Sequence, residues 1–435
     1  MRGASHRLPG LVLTEHRFDV PLDHAQPNGE TLSIYAREVV SAKNRDKDLP
    51  WLLFLQGGPG FGSPRPMGMG GFLIPALKEY RVLLLDQRGT GLSSPVSSQT
   101  LARMATPEAQ ARYLTHFRAD SIVNDCESIR QSLLGGRKWS LLGQSYGGFC
   151  TCTYLSFAPQ GLERAFITGG LAPIGIDIDT LYRTTYAGVR GKNHLYFERY
   201  PEDAALVRRI ATTLRNHEIT LPEGDRLSVR KFQQLGMHLG MSDGFEILHY
   251  LLESAFVEGP TGSELSYSFL HGFEHSLSFN TNPIFSILHE AAYSEGHASN
   301  WSAQRIRQEL PEFNTQDDHA PILFTGEMIY PWMFEEYGKL RPLQSAANIL
   351  AEKDDWPALY DTKQLHKNTV PTIAAVYEND MYVAREFSLG LDIGNLQTWV
   401  TADFEHNGLR SKGEVVFGYL MERSREEQQG PIPPG

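Results

Sequence analysis

The chain has 435 residues, of which 41% are apolar and 21% charged, and its formal net charge is −11. That length exceeds what a single core usually holds, so one large domain with an insertion, or two domains, is expected. An acidic balance without clustered Lys and Arg argues against nucleic-acid binding, and no run of about 18 apolar residues is present to span a membrane.

Cysteine is scarce, with only Cys126, Cys150 and Cys152. An odd count is a poor disulfide framework and fits a reducing compartment. The N-terminus lacks an apolar core of signal-peptide length, so the sequence reads as a soluble, cytoplasmic protein. Met1–His6 are set aside as an appended leader. No C-x-x-C pair or H-E-x-x-H pattern occurs, and neither a metal nor another cofactor is implied.

In chain order, Leu11–Val20 and Thr31–Val40 are rich in β-formers and are separated by a Pro, Asn and Gly turn, which predicts two antiparallel strands. Trp51–Leu55, Arg81–Asp86 and Trp139–Leu142 are short apolar runs of the kind buried on both faces of a parallel sheet. Between the last two, Ile122, Cys126, Ile129 and Leu133 fall at helical spacing, with Gly135 and Gly136 as a stop. Arg164–Gly170 supplies another strand. From Pro173 to Trp356 the sequence turns aromatic and helical, as in Asp243–Phe256. Strand character returns at Pro371–Asp380 and Leu396–Gly408, and the chain closes on the Pro-rich tail Gly430–Gly435. A sheet that starts, is interrupted and resumes predicts an α/β core in two parts, 1–172 and 357–435, with a helical cap at 173–356.

Gly143-Gln144-Ser145-Tyr146-Gly147 is a G-x-S-x-G pattern between a predicted strand and a predicted helix. A serine on so tight a turn needs small neighbours, and the turn lifts its hydroxyl to the C-terminal edge of the sheet. Tyr146 then offers its N–H at a helix N-terminus, where an oxyanion can be held. Upstream, Gly57, Gly58 and Gly60 follow another buried strand, and Gly58 is the candidate second donor. A serine hydroxyl needs a base held by an acid. In an α/β-hydrolase the chain order is Ser, then Asp or Glu, then His, and His406 is the only histidine after the strand ending near Tyr377. Asp380 follows that strand and is the preferred acid, with Glu378 as its rival. Asp86, Arg88 and Ser93 are read as ties for the loop after their strand. Cys150 and Cys152 are read as packing the nucleophile helix against the sheet.

The segments "LQGGPGFGSPRP", "LLLDQRGTGLSSP", "GQSYGGF", "NDMYVAREFSLG" and "FEHNGLR" occur in this order along nearly the whole chain. Together they resemble the prolyl aminopeptidase (proline iminopeptidase) family of α/β-hydrolases in its longer bacterial form. Gln56 stands where the commoner pattern has His. The resemblance implies an α/β-hydrolase fold and removal of an N-terminal residue, preferably proline, from peptides with a free amino terminus. It also implies two cap glutamates that bind the substrate amine. Glu246 and Glu290 match those contexts best, with Glu327 as a third acid among apolar neighbours. Phe245, Tyr250, Tyr293 and Trp332 are candidate walls for the proline ring.

Three other readings stand beside this one. Another serine hydrolase on the same core, an esterase or a di- or tripeptidyl aminopeptidase, would release a different product. An epoxide hydrolase or dehalogenase would carry Asp at position 145. A non-catalytic binding module would have a broken triad, and none of Ser145, Asp380 and His406 is missing.

Overall fold

The computed structural model describes residues 2–260, 262–314 and 321–429, so Met1 and the Pro-rich tail Gly430–Gly435 lie outside the described residues. Eleven strands are formed: β1 Arg2–Leu8, β2 Leu11–Pro21, β3 Thr31–Ser41, β4 Trp51–Leu55, β5 Arg81–Leu85, β6 Trp139–Gln144, β7 Leu162–Thr168, β8 Phe256–Gly259, β9 Gly262–Leu265, β10 Thr372–Tyr377 and β11 Leu396–Thr401. Nine of them make one sheet in the order β1-β2-β3-β5-β4-β6-β7-β10-β11. Pairing is antiparallel from β1 to β5 and parallel from β5 to β11.

The parallel strands explain their own composition. Every residue of β6 and β10 is buried, as are four of the five in β4 and in β5, because helices cover both faces of the sheet. On one face Ile122, Cys126 and Ile129 of the helix Ala119–Leu134 pack with the helix Tyr146–Phe157. On the other, Phe54, Phe166 and Ile373 meet Phe72 and Phe417 from the helices that bracket the sheet. Residues 2–6 lie in β1, which pairs with β2 at the sheet edge. Cys126, Cys150 and Cys152 are unpaired and buried.

Between β7 and β10 the chain is mainly helical, running from the helix Ile178–Arg199 to the helix Gln344–Glu352, with the hairpin β8–β9 as its only strands among the described residues. Both late strands are shorter than their sequence signal, since β10 stops at Tyr377 and β11 at Thr401 to release the loops that follow. Among the described residues, no helix is long and apolar enough to cross a membrane.

The loop after β5 is tied down internally. Asp86 accepts from the Ser63 and Leu92 N–H groups at 2.9 and 2.8 Å. Arg88, fully buried, donates to Asp125 at 2.7 Å and to the Leu22 and His116 carbonyls. Ser93 Oγ also accepts from the Tyr35 N–H at 2.9 Å, and these contacts brace the loop against its neighbours.

Candidate active site

Ser145 sits between β6 and the helix Tyr146–Phe157 with φ +56° and ψ −125°. Such a backbone is strained for a residue with a Cβ, and it persists only where the surroundings over-determine it. Here the Ser145 N–H donates to the Thr168 carbonyl at 3.0 Å, and its carbonyl accepts from Gly148 at 2.7 Å. Small residues are needed alongside, because a Cβ on Gly147 would overlap the Leu55 carbonyl and one on Gly143 would overlap the Gly147 carbonyl.

The loops after β10 and β11 bring Asp380 and His406 together. His406 Nδ1 lies 2.7 Å from Asp380 Oδ2, and both residues are buried. The other carboxylate oxygen accepts from the Tyr382 and Val383 N–H groups at 2.8 and 3.0 Å, which fixes the carboxylate plane. Glu378, the rival acid, instead forms an ion pair with Arg385 near the surface. Asn407 anchors the histidine loop to the helical block by accepting from the Ser242 N–H and hydroxyl at 2.9 and 2.8 Å.

Ser145 and His406 line one cavity of ≈ 230 Å³ together with Gly57, Gly58, Phe61, His238, Phe279, Phe285, Glu327 and Tyr382. Neither the Tyr146 N–H nor the Gly58 N–H has an acceptor among the described residues. Gly58 lines the catalytic cavity, and Tyr146 directly follows Ser145 at the start of its helix.

Of the three candidate glutamates, Glu327 alone reaches this cavity. It lies on an irregular stretch between helices, and no group among the described residues hydrogen-bonds its carboxylate. Burial pushes its pKa up to about 7; the nearby His406 opposes that rise and Asp380 adds to it. Glu246 faces outward, paired with Arg199 at 2.8 Å and accepting from the Tyr200 hydroxyl. Glu290 is buried but accepts from the Ser302 and Ala303 N–H groups, capping the helix Ser302–Gln308. The aromatic candidates also lie elsewhere. Phe245 packs on Tyr196 and under Arg199, Tyr293 on Phe149 and His289, and Trp332 on Tyr330, while Tyr250 is exposed. Their place at the cavity is taken by Phe61, Phe279 and Phe285, which sequence reasoning passed over. Phe61 directly follows the Gly-rich loop and could have been found there, whereas nothing local marks Phe279 or Phe285.

Glu202, Asp203 and His249 are the one group among the described residues whose ligand atoms converge closely enough for a metal. They do not line the catalytic cavity, and Asp203 is already engaged by His249 at 3.0 Å and by the Tyr196 hydroxyl.

Residues 50–409 match the model of the alpha/beta hydrolase fold family. A proline iminopeptidase of Aeromonas sobria is 49% identical over 422 residues, covering 96% of this chain and 98% of the relative. The chain belongs to the proline iminopeptidase family of α/β-hydrolases. Another member, the proline iminopeptidase aneH of Aspergillus aculeatus, is 37% identical across 96% of this chain and 95% of its own. Among solved structures, a proline iminopeptidase from Mycobacterium smegmatis is similar with 14% identity and a TM-score of 0.43, covering 95% of this chain and 100% of that one.

Proposed function

We propose that this protein is a serine exopeptidase that releases N-terminal proline from peptides. The observation that carries the reading is the cavity that gathers Ser145, His406 backed by Asp380, and the unpartnered carboxylate of Glu327. Family membership at 49% identity supports it.

In this mechanism His406 takes the Ser145 proton as the hydroxyl oxygen attacks the prolyl carbonyl. Asp380 holds the imidazole and stabilises its charged form. The Gly58 and Tyr146 N–H groups receive the oxyanion. Collapse of the tetrahedral intermediate breaks the C–N bond, and His406 gives its proton to the leaving amine. Water, activated by the same imidazole, then releases proline from the acyl-enzyme. Glu327 supplies the negative charge that a buried prolyl ammonium requires, since burying that ammonium unpaired is very costly. Phe61, Phe279 and Phe285 give the pyrrolidine ring apolar walls. The helical block at 173–356 acts as the cap that encloses the amine end, and the three free thiols fit a reducing, cytoplasmic setting.

The test is product analysis with a pentapeptide that begins with proline, for the wild type and Ser145→Ala. Free proline and a tetrapeptide, both lost in the variant, support the reading. Release of a di- or tripeptide first, or activity that survives in Ser145→Ala, overturns it.

A further inference from the structure

A second cavity of ≈ 630 Å³ opens beside the catalytic one, walled by Phe72, Leu73, Leu409 and the loop that carries Met67 and Met69. The two cavities share Gln56, Phe61 and Arg410 in their walls, so they adjoin one another. Two polar groups on the second cavity's walls lack partners. Gln144 is only 1% exposed, yet neither its amide oxygen nor its amide nitrogen has a hydrogen bond among the described residues, which buried amides rarely tolerate. Arg410, an exposed residue, lines both cavities, and no carboxylate or carbonyl among the described residues pairs with its guanidinium. Its charge is felt by Glu327, but no hydrogen bond joins them.

We propose that this second cavity receives the residue that follows the scissile bond. An apolar side chain packs against Phe61, Phe72 and the Met67–Met69 loop, and Arg410 binds that residue's free C-terminal carboxylate. The favoured substrate is then a dipeptide of proline and an apolar residue. The inference rests on the reading of proline release given above. Ser145 and Arg410 both line the ≈ 230 Å³ catalytic cavity, so in this arrangement the scissile carbonyl and the following carboxylate share that space while the side chain enters the second cavity. The forked guanidinium matches a carboxylate in shape and charge, and methionine adapts to apolar side chains of varied form.

The experiment compares kcat/KM for Pro-Leu, its C-terminal amide and Pro-Gly, in the wild type and Arg410→Gln. For the wild type, Pro-Leu should exceed its amide by about tenfold, the worth of one charge-assisted pair, and should also exceed Pro-Gly. In Arg410→Gln the acid-to-amide ratio should fall to about one, a within-variant ratio that a general loss of fold or activity leaves unmoved. Equal rates for acid and amide in the wild type, or an unchanged ratio in the variant, overturn the carboxylate site while proline release stands. Equal rates for Pro-Leu and Pro-Gly overturn the apolar subsite. Failure of the wild type to release proline from any of these and from a prolyl anilide overturns the underlying reading along with the subsite.

Discussion

Replacing Glu327 by glutamine keeps the shape of the side chain and removes its charge, so stability and activity should move in opposite directions. In the folded protein Glu327 holds its proton up to about pH 7, against an ordinary value of 4.5. Folding therefore takes up a proton between those limits, and the wild type loses stability as pH rises through that window. One pKa unit is worth about 1.4 kcal/mol, so the cost of ionising Glu327 in the fold is at most roughly 3 kcal/mol. Its partial exposure to the cavity discounts that to about 2 kcal/mol. For a chain of this size the difference amounts to roughly 2 °C in Tm. Thermal unfolding of both proteins should show little difference near pH 4.5 and a gap in favour of Glu327→Gln that opens toward pH 8. On a prolyl anilide, the same variant should lose about 100-fold in kcat/KM, because the substrate ammonium is left buried without its counter-charge. A gap that is independent of pH, or activity within twofold of wild type, would refute the placement of the amine beside Glu327.

Other outcomes follow from the same geometry. Asp380→Asn should lower kcat by about 10⁴-fold while leaving the melting temperature nearly unchanged, since a neutral amide favours the wrong imidazole tautomer. Gly147→Ala sets a methyl group against the Leu55 carbonyl and should cost about 2–3 kcal/mol in urea unfolding, together with most of the activity. Burial pushes the Cys126 and Cys150 thiols up, and Cys152 to about 11. A thiol-specific chromogenic disulfide at pH 8 should therefore find no fast-reacting group in the native protein and three in the denatured one.

Most of the sheet was legible because buried parallel strands write their environment directly into apolar runs such as Trp51–Leu55 and Arg81–Leu85. The turn at Ser145 was legible for a related reason, since its neighbours had to be small wherever strand, helix and the Leu55 carbonyl converge. Chain order selected His406, the place of Asp380 just after a strand made it the preferred acid over Glu378, and the structure holds Asp380 and His406 2.7 Å apart. The glutamates were harder. A carboxylate's direction depends on the rotational phase of its helix and on contacts remote in sequence. Glu246 is turned outward to Arg199, and Glu290 is spent on a helix N-terminus more than ten residues on. Glu327 lies on an irregular stretch that carries no periodic pattern to read. Phe279 and Phe285 reach the cavity through tertiary packing that no local spacing encodes.

The most direct test of the account is the ratio of kcat/KM for a prolyl anilide to that for its N-acetylated counterpart, measured on the wild type. The account predicts cleavage of the free amine alone, because acetylation removes the charge that Glu327 is placed to meet. Equal cleavage of the two, or a preference for the blocked substrate, would contradict it.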